Sequence, residues 1–232
     1  MSSELFGKKF VRDKSFLRLA LAGALLLTAS LKLIAQNPAP AADSPKKANA
    51  RPVAPKPPQA DPFEGAAIEK LSQCVSLQTE QGQIVIQMLP DKAPETVRSF
   101  LNLVATGGLD TTVFSRVIRG FVIQGGNLST SEKWSAELAA RMARTIKDEP
   151  NDVNHVRGIV SMARSDEPNS ASTHFFILVG PGPHLDGKFS AFGRVTRGIE
   201  VADAINRGET NGDTPLVPVR IKLATVSACD KQ

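Results

Sequence analysis

The stretch FSRVIRGFVIQGG, residues 114–126, sets two guanidinium groups, Arg116 and Arg119, and one primary amide, Gln124, in a run apolar enough to be core. Polar heads among such neighbours need a partner or a task. The rest of the chain offers few other reactive arrangements. No GxSxG, Walker loop, HExxH or CxxC pattern occurs. The three histidines, His155, His174 and His184, lie at no metal-ligand spacing from one another, so no metal and no other cofactor is expected. Taken alone, these residues imply a β-barrel with a polar groove. The plain alternative for Arg116 is a surface strand arginine in an ion pair.

The surrounding elements are short. VSLQTEQGQIVIQML (75–89) predicts a β-hairpin turning at Gly82, and APETVRSFLNLVATGG (93–108) a helix. In that helix Val97, Phe100, Leu101 and Val104 recur at i, i+3, i+4 and i+7, with Pro94 early and Gly107 as the stop. The 114–126 stretch divides into two strands at Gly120. Segments 158–165, 173–180, 190–195 and 218–228 read as further strands, and 198–208 as a second helix closed by Gly208. The order lacks the regular strand–helix alternation of a parallel α/β fold. The expected fold is mainly β: a closed eight-stranded antiparallel barrel capped by two helices. Residues 131–145 predict a helical insertion with Ser131 as N-cap and Trp134 tucked in.

Charge is uneven along the chain. Residues 1–62 hold ten Lys and Arg against four Asp and Glu; residues 63–232 hold eighteen against nineteen. The basic excess belongs to the tail, and no nucleic-acid partner is expected. In residues 1–35 a basic stretch (Lys8, Lys9, Arg12, Lys14, Arg18) precedes the thirteen mostly apolar residues 19–31. This is the pattern of a signal peptide, or of an uncleaved anchor tethering the protein to the inner membrane. Either places the domain outside the cytoplasm, periplasmic or secreted. Residues 36–67 read as a Pro/Ala-rich disordered linker; eight of residues 36–62 are proline. The domain is expected over 68–232.

Three ordered motifs carry a resemblance: FSRVIRGFVIQGG, then GIVSMARSDEPNSASTHFFI (158–177), then HLDGKFSAFGRV (184–195). Together they closely resemble cyclophilin-type peptidyl-prolyl cis-trans isomerases, with spacing like the bacterial branch. The resemblance spans about residues 70–229 and implies the barrel with two capping helices. By its motif Arg116 reaches into the substrate groove, and Gln124 lies near the arginine and the substrate carbonyl. Both are expected to be catalytic. Phe121, Val122, Phe176 and Leu185 match the family's proline pocket, while Ala163 and Arg164 match the segment whose backbone binds peptide. His174 and His184 are expected to line the same groove, and Arg119 to be solvated in a turn. Several positions depart from the family pattern. Ser115 stands where many members have His, Val122 where Met is common, and Arg164 where Asn is frequent. His174 replaces a usual Gln, His184 a frequent Trp, and Phe189 a frequent His or Tyr.

The implied activity is rotation about X-Pro bonds in unfolded or flexible proline-containing polypeptides during folding of exported proteins, by a monomer. A non-catalytic proline-peptide-binding or chaperone-like module using the same groove is the alternative. The two cysteines, Cys74 and Cys229, flank the first and last strands. These strands are antiparallel neighbours in the resembled fold, and the export signal implies an oxidising compartment. The pair is therefore expected to form a disulfide.

Overall fold

The computed structural model describes residues 61–229. The predicted signal or anchor segment (1–35) and the linker up to residue 60 lie outside the described residues. Residues 61–67, assigned to the linker by composition, instead pack on the domain. Asp61 pairs with Arg141 and Arg144. The Phe63 amide donates to Asn102 Oδ1 at 2.7 Å, and the Phe63 and Ala66 side chains meet the main core. Pro62 and the charges Asp61 and Glu64 mask one aromatic anchor, Phe63.

A short helix α1 (Ile68–Leu71) leads into strands β1 (Cys74–Thr79) and β2 (Gly82–Met88), then helix α2 (Pro94–Ala105). Strands β3 (Arg116–Ile118) and β4 (Val122–Gly125) follow, then helix α3 (Ala136–Ala143) and strands β5 (Ile159–Met162), β6 (Phe175–Leu178) and β7 (Ala191–Arg197). Helix α4 (Ile199–Asn206), the two-residue strands β8 (Thr210–Asn211) and β9 (Thr214–Pro215), and β10 (Ile221–Ser227) follow.

Eight strands form one curled antiparallel sheet in the order β10-β1-β2-β7-β5-β6-β4-β3. Its two end strands do not pair along their length. The gap is bridged just before β3 and at the start of β10: Thr111 N donates to Ile221 O (2.8 Å), Ile221 N to Thr112 O (2.8 Å) and Phe114 N to Val219 O (3.0 Å). A closed barrel therefore overstates the closure; three backbone hydrogen bonds, not a full ladder, join the ends. The extra pair β8–β9 forms a small hairpin of its own.

Helix α2 lies over the inside of the curl. Val97, Phe100, Leu101 and Val104 are all buried, as their spacing requires. Phe100 packs edge-on to Phe175 at 5.3 Å and against Phe192 at 4.9 Å between ring centroids. Helix α4 buries Ala202 and Ile205. Helix α3 starts later than the sequence suggests: its N-cap is Ser135, whose Oγ accepts from Leu138 N at 3.3 Å. The Ser131 hydroxyl is engaged elsewhere, donating to Asp110 O and accepting from Lys133 N. Trp134 is not tucked in; it is 44% exposed.

Strand alternation gives the sheet a second buried face. On β6, Phe175 and Ile177 join the main core, whereas Phe176 and Leu178 join a smaller cluster with Val122, Ile159, Leu185 and Ala191. Side chains on a strand alternate between faces. One short strand thus serves two cores, which explains why FFIL is apolar at every position.

Candidate active site

Register decides where the polar heads of 114–126 go. On β3 and β4, Val117 and Ile123 point into the main core. Arg116 and Gln124 point the other way and oppose one another across the strands. Gln124 in turn opposes Phe176 on β6, and Phe176 opposes Ser161 on β5. Arg116, Gln124, Phe176 and Ser161 therefore form one cross-strand row on the face of the smaller cluster. The glycines in the motif shape its ends. Gly120 turns β3 into β4 at φ +72°, a left-handed conformation costly to other residues. At Gly126 an added Cβ would stand 2.1 Å from Thr173 O, so only glycine permits the approach of the 173–174 backbone.

A cleft of about 160 Å³ opens over this row. Arg116 and Gln124 line its polar side, and Phe121, Val122, Phe176 and Leu185 its apolar side. Ala163, Arg164 and Phe189 complete the rim. Leu185 arrives on a short turn, 183–185, that folds back over the strands. Phe189 meets Phe176 edge-on at 6.1 Å, and the Arg164 guanidinium lies 5.0 Å from the Phe189 ring centre. A larger concavity of about 460 Å³ lies over β1, β2 and β7, but its lining contains none of these residues. Its size is no argument for function; chemistry favours the smaller cleft, where charge meets an apolar floor.

The Arg116 side chain is 45% exposed, and its guanidinium donates from Nε (3.1 Å) and Nη2 (2.8 Å) to Asp213 Oδ2. Its Nη1 faces Gln124 Oε1 at 3.4 Å. The cleft arginine is thus also an ion-pair arginine. Arg119 is exposed, and its guanidinium donates to the Arg207 and Gly208 carbonyls. The cleft floor is held from behind by a group the sequence does not single out. His155, 1% exposed, donates its backbone N–H to Asp186 Oδ1 (2.7 Å), and its Nδ1 lies 3.0 Å from the same oxygen. Its Nε2 lies 3.2 Å from Ser161 Oγ. With a carboxylate at Nδ1, that nitrogen carries the proton and Nε2 accepts from the serine hydroxyl. Burial lowers the His155 pKa below its usual 6.5, against the opposing pull of Asp186, so the ring is neutral at neutral pH. The backbone hydrogen bond from His155 leads in holding Asp186 below the ordinary carboxylate range.

Two histidines expected in the groove are not among its lining residues. His174 is half-buried beside Ala163, whose amide donates to the His174 carbonyl at 3.0 Å, and burial lowers its pKa. His184 is exposed and lies against Phe121, ring centres 5.3 Å apart. The short turn carrying His184 points Leu185 inward instead, which sequence spacing does not reveal. Outside the cleft lining, Cys74 and Cys229 are joined, with Cα atoms 5.0 Å apart. The direct cross-strand neighbour of Cys74 is Ser227, so Cys229 bonds from two residues beyond it.

A family model described as cyclophilin type peptidyl-prolyl cis-trans isomerase/CLD matches residues 74–226. A peptidyl-prolyl cis-trans isomerase of Arabidopsis thaliana is 36% identical over 157 residues, covering 66% of this chain and 96% of the relative. A peptidyl-prolyl cis-trans isomerase A of Dickeya dadantii is 35% identical over 175 residues, covering 71% of this chain and 90% of the relative. Among solved structures, a Cryptosporidium parvum cyclophilin crystallised in the presence of the dipeptide Ala-Pro superposes with a TM-score of 0.60 at 27% identity. It covers 68% of this chain and 100% of that one.

Proposed function

The chain belongs to the cyclophilin-type peptidyl-prolyl cis-trans isomerase family, and from that premise we propose how its cleft works and on what. The protein is a peptidyl-prolyl cis-trans isomerase. Its proposed substrates are X-Pro bonds in flexible or unfolded polypeptides outside the cytoplasm, where it assists the folding of exported proteins. The proline ring sits on Phe176, Val122 and Leu185, with Phe121 at its side, and the peptide backbone runs past Ala163 and Arg164.

Uncatalysed rotation faces a barrier of ~18–20 kcal/mol because amide resonance must be broken. No bond to carbon forms or breaks, so no nucleophile is required. As the bond twists, the prolyl nitrogen becomes pyramidal and regains its lone pair. Arg116 donates a hydrogen bond to that lone pair, which exists in the twisted state and not in the planar one. Gln124, 3.4 Å from Arg116 Nη1, orients the guanidinium and faces the substrate carbonyl. The apolar floor favours the twisted amide, which is less polar than the planar form. A charge-assisted hydrogen bond contributes roughly 1.5–3 kcal/mol. A 10⁴-fold acceleration corresponds to about 5.5 kcal/mol. Arginine and pocket must therefore act together.

The observation that carries this reading is the cross-strand row that sets Arg116 and Gln124 beside Phe176 in one cleft. The basic and apolar N-terminal segment supports the exported, bacterial-type setting, as does the Cys74–Cys229 bond, since such bonds persist in oxidising compartments. Two measurements test it. Exchange NMR on an Ala-Pro peptide should show cis/trans rotation accelerated by catalytic amounts of the domain. Fractionation of cells producing the full chain should find it outside the cytoplasm. Stoichiometric peptide binding without acceleration would establish the non-catalytic alternative.

A further inference from the structure

We propose that Asp213, at the tip of the β8–β9 hairpin, is a positioning residue for Arg116: it grips one edge of the guanidinium and so turns the other edge toward the cleft. The proposal rests on Arg116 being the catalytic donor.

The hairpin is built to present this carboxylate. Thr210 pairs with Pro215 and Asn211 with Thr214, leaving Gly212 and Asp213 as a two-residue turn. Gly212 has φ +60°, the left-handed conformation that such a turn demands. The turn is then fixed to the sheet. β3 is an end strand, and its Val117 N–H donates to the Asp213 carbonyl at 2.8 Å. Asp213 is therefore held by its backbone one residue away from Arg116, before its side chain contributes anything.

The side chain selects the guanidinium edge. Asp213 Oδ2 accepts from Nε at 3.1 Å and from Nη2 at 2.8 Å. Nη1 is left for Gln124 and the cleft. Asp213 itself is not among the cleft-lining residues, so it does not occupy the substrate's place. A guanidinium is planar, and fixing two of its nitrogens fixes the direction of the third. Without Asp213, the side chain would be held only by the long Gln124 contact and would sample many rotamers.

Two effects of the carboxylate oppose each other. It orients the donor, which favours catalysis, and it offsets the positive charge, which weakens the donor. The pair is half exposed, with side chains 45% and 51% accessible. Solvent screens its Coulomb term, while the directional constraint persists. Orientation wins, so the carboxylate assists rather than inhibits.

The test is a double-mutant cycle read by peptide exchange NMR under saturating and sub-saturating substrate. Asp213→Ala is expected to lower kcat about 3- to 10-fold while KM changes less than about twofold. Asp213→Asn keeps the turn and an acceptor oxygen, and should fall between the two; it serves if the alanine variant folds poorly. In an Arg116→Ala background, Asp213→Ala should cause no further loss, because there is nothing left to position. Wild-type kcat in both Asp213 variants overturns the proposal. So does an increase in kcat, which would make the pair inhibitory. An equal loss with and without Arg116 would mean Asp213 matters only to the fold. If Arg116→Ala alone has wild-type activity, the catalytic reading of Arg116 fails, and that failure is seen separately from the behaviour of Asp213.

Discussion

Arg116→Ala separates catalysis from stability more sharply than any other substitution in this cleft. In the folded protein the side chain is 45% exposed, and its partner Asp213 is 51% exposed. Exposed ion pairs contribute about 0.2–1 kcal/mol. Removing Arg116 leaves Asp213 in contact with water, so no buried charge is orphaned. For a domain of this size 1 kcal/mol shifts Tm by about 2–4 °C, and the expected change is no larger. The transition state loses much more. One charge-assisted hydrogen bond to the prolyl nitrogen is worth roughly 1.5–3 kcal/mol, equivalent to a fall in kcat/KM of about 10- to 150-fold. The apolar floor is untouched, so the loss should appear mainly in kcat. Exchange NMR on an Ala-Pro peptide gives the rates, and a thermal melt of the same sample gives Tm. A loss under threefold would refute the argument. So would a Tm fall of 10 °C or more, which would make Arg116 a structural residue.

Phe176→Ala should behave in the opposite manner. The ring is 6% exposed, so its removal is expected to cost about 3–5 kcal/mol and to raise KM; a melt unchanged within 2 °C would show that Phe176 is not part of a packed floor. Cys74 and Cys229 are 155 residues apart in sequence. In the chain-entropy model their bond stabilises by at most about 5 kcal/mol, so reductant should lower Tm by several degrees, and an unchanged Tm or quantitative thiol labelling of untreated protein would count against it. His174 and His155 have pKa values lowered by burial. The unfolded chain then binds more protons below pH 6.5, so stability is fully present above 6.5 and falls as pH drops toward the folded values. Urea midpoints at pH 8 and pH 5 should show this fall, and a His174→Gln variant with an undiminished fall would exclude His174 as a source.

Local pattern makes some elements legible and hides others for physical reasons. Helix α2 follows directly from Val97, Phe100, Leu101 and Val104, because a 3.6-residue period fits only one conformation. The β3–β4 break at Gly120 is equally visible. The start of α3 is not, since Ser131 and Ser135 are both good caps, and the choice falls to tertiary partners of Ser131 at Asp110 and Thr111. The domain boundary is missed because a single aromatic, Phe63, anchors a stretch whose composition is that of a linker. Closure is overstated because a strand count cannot tell whether the last strands pair in full.

The site divides along the same line. Eight of the ten residues expected to act in the groove line one cleft, because they lie on strands whose register fixes them or on turns that fold over those strands. His174 and His184 fall outside it, since their neighbours Ala163 and Leu185 take the inward places. The residues not anticipated are those whose contacts cross long stretches of chain. His155 reaches Asp186 across 31 residues, and Arg116 reaches Asp213 across 97. No spacing rule connects such pairs. They become visible only when two facts meet: β3 is an end strand with a spare N–H at Val117, and the nearby hairpin has a tight turn to offer it. An open edge is usually a liability; here the hairpin that covers it also brings the carboxylate to the arginine. This links the fold to the chemistry, because full closure of the barrel at β3 would leave no edge for that hairpin to occupy.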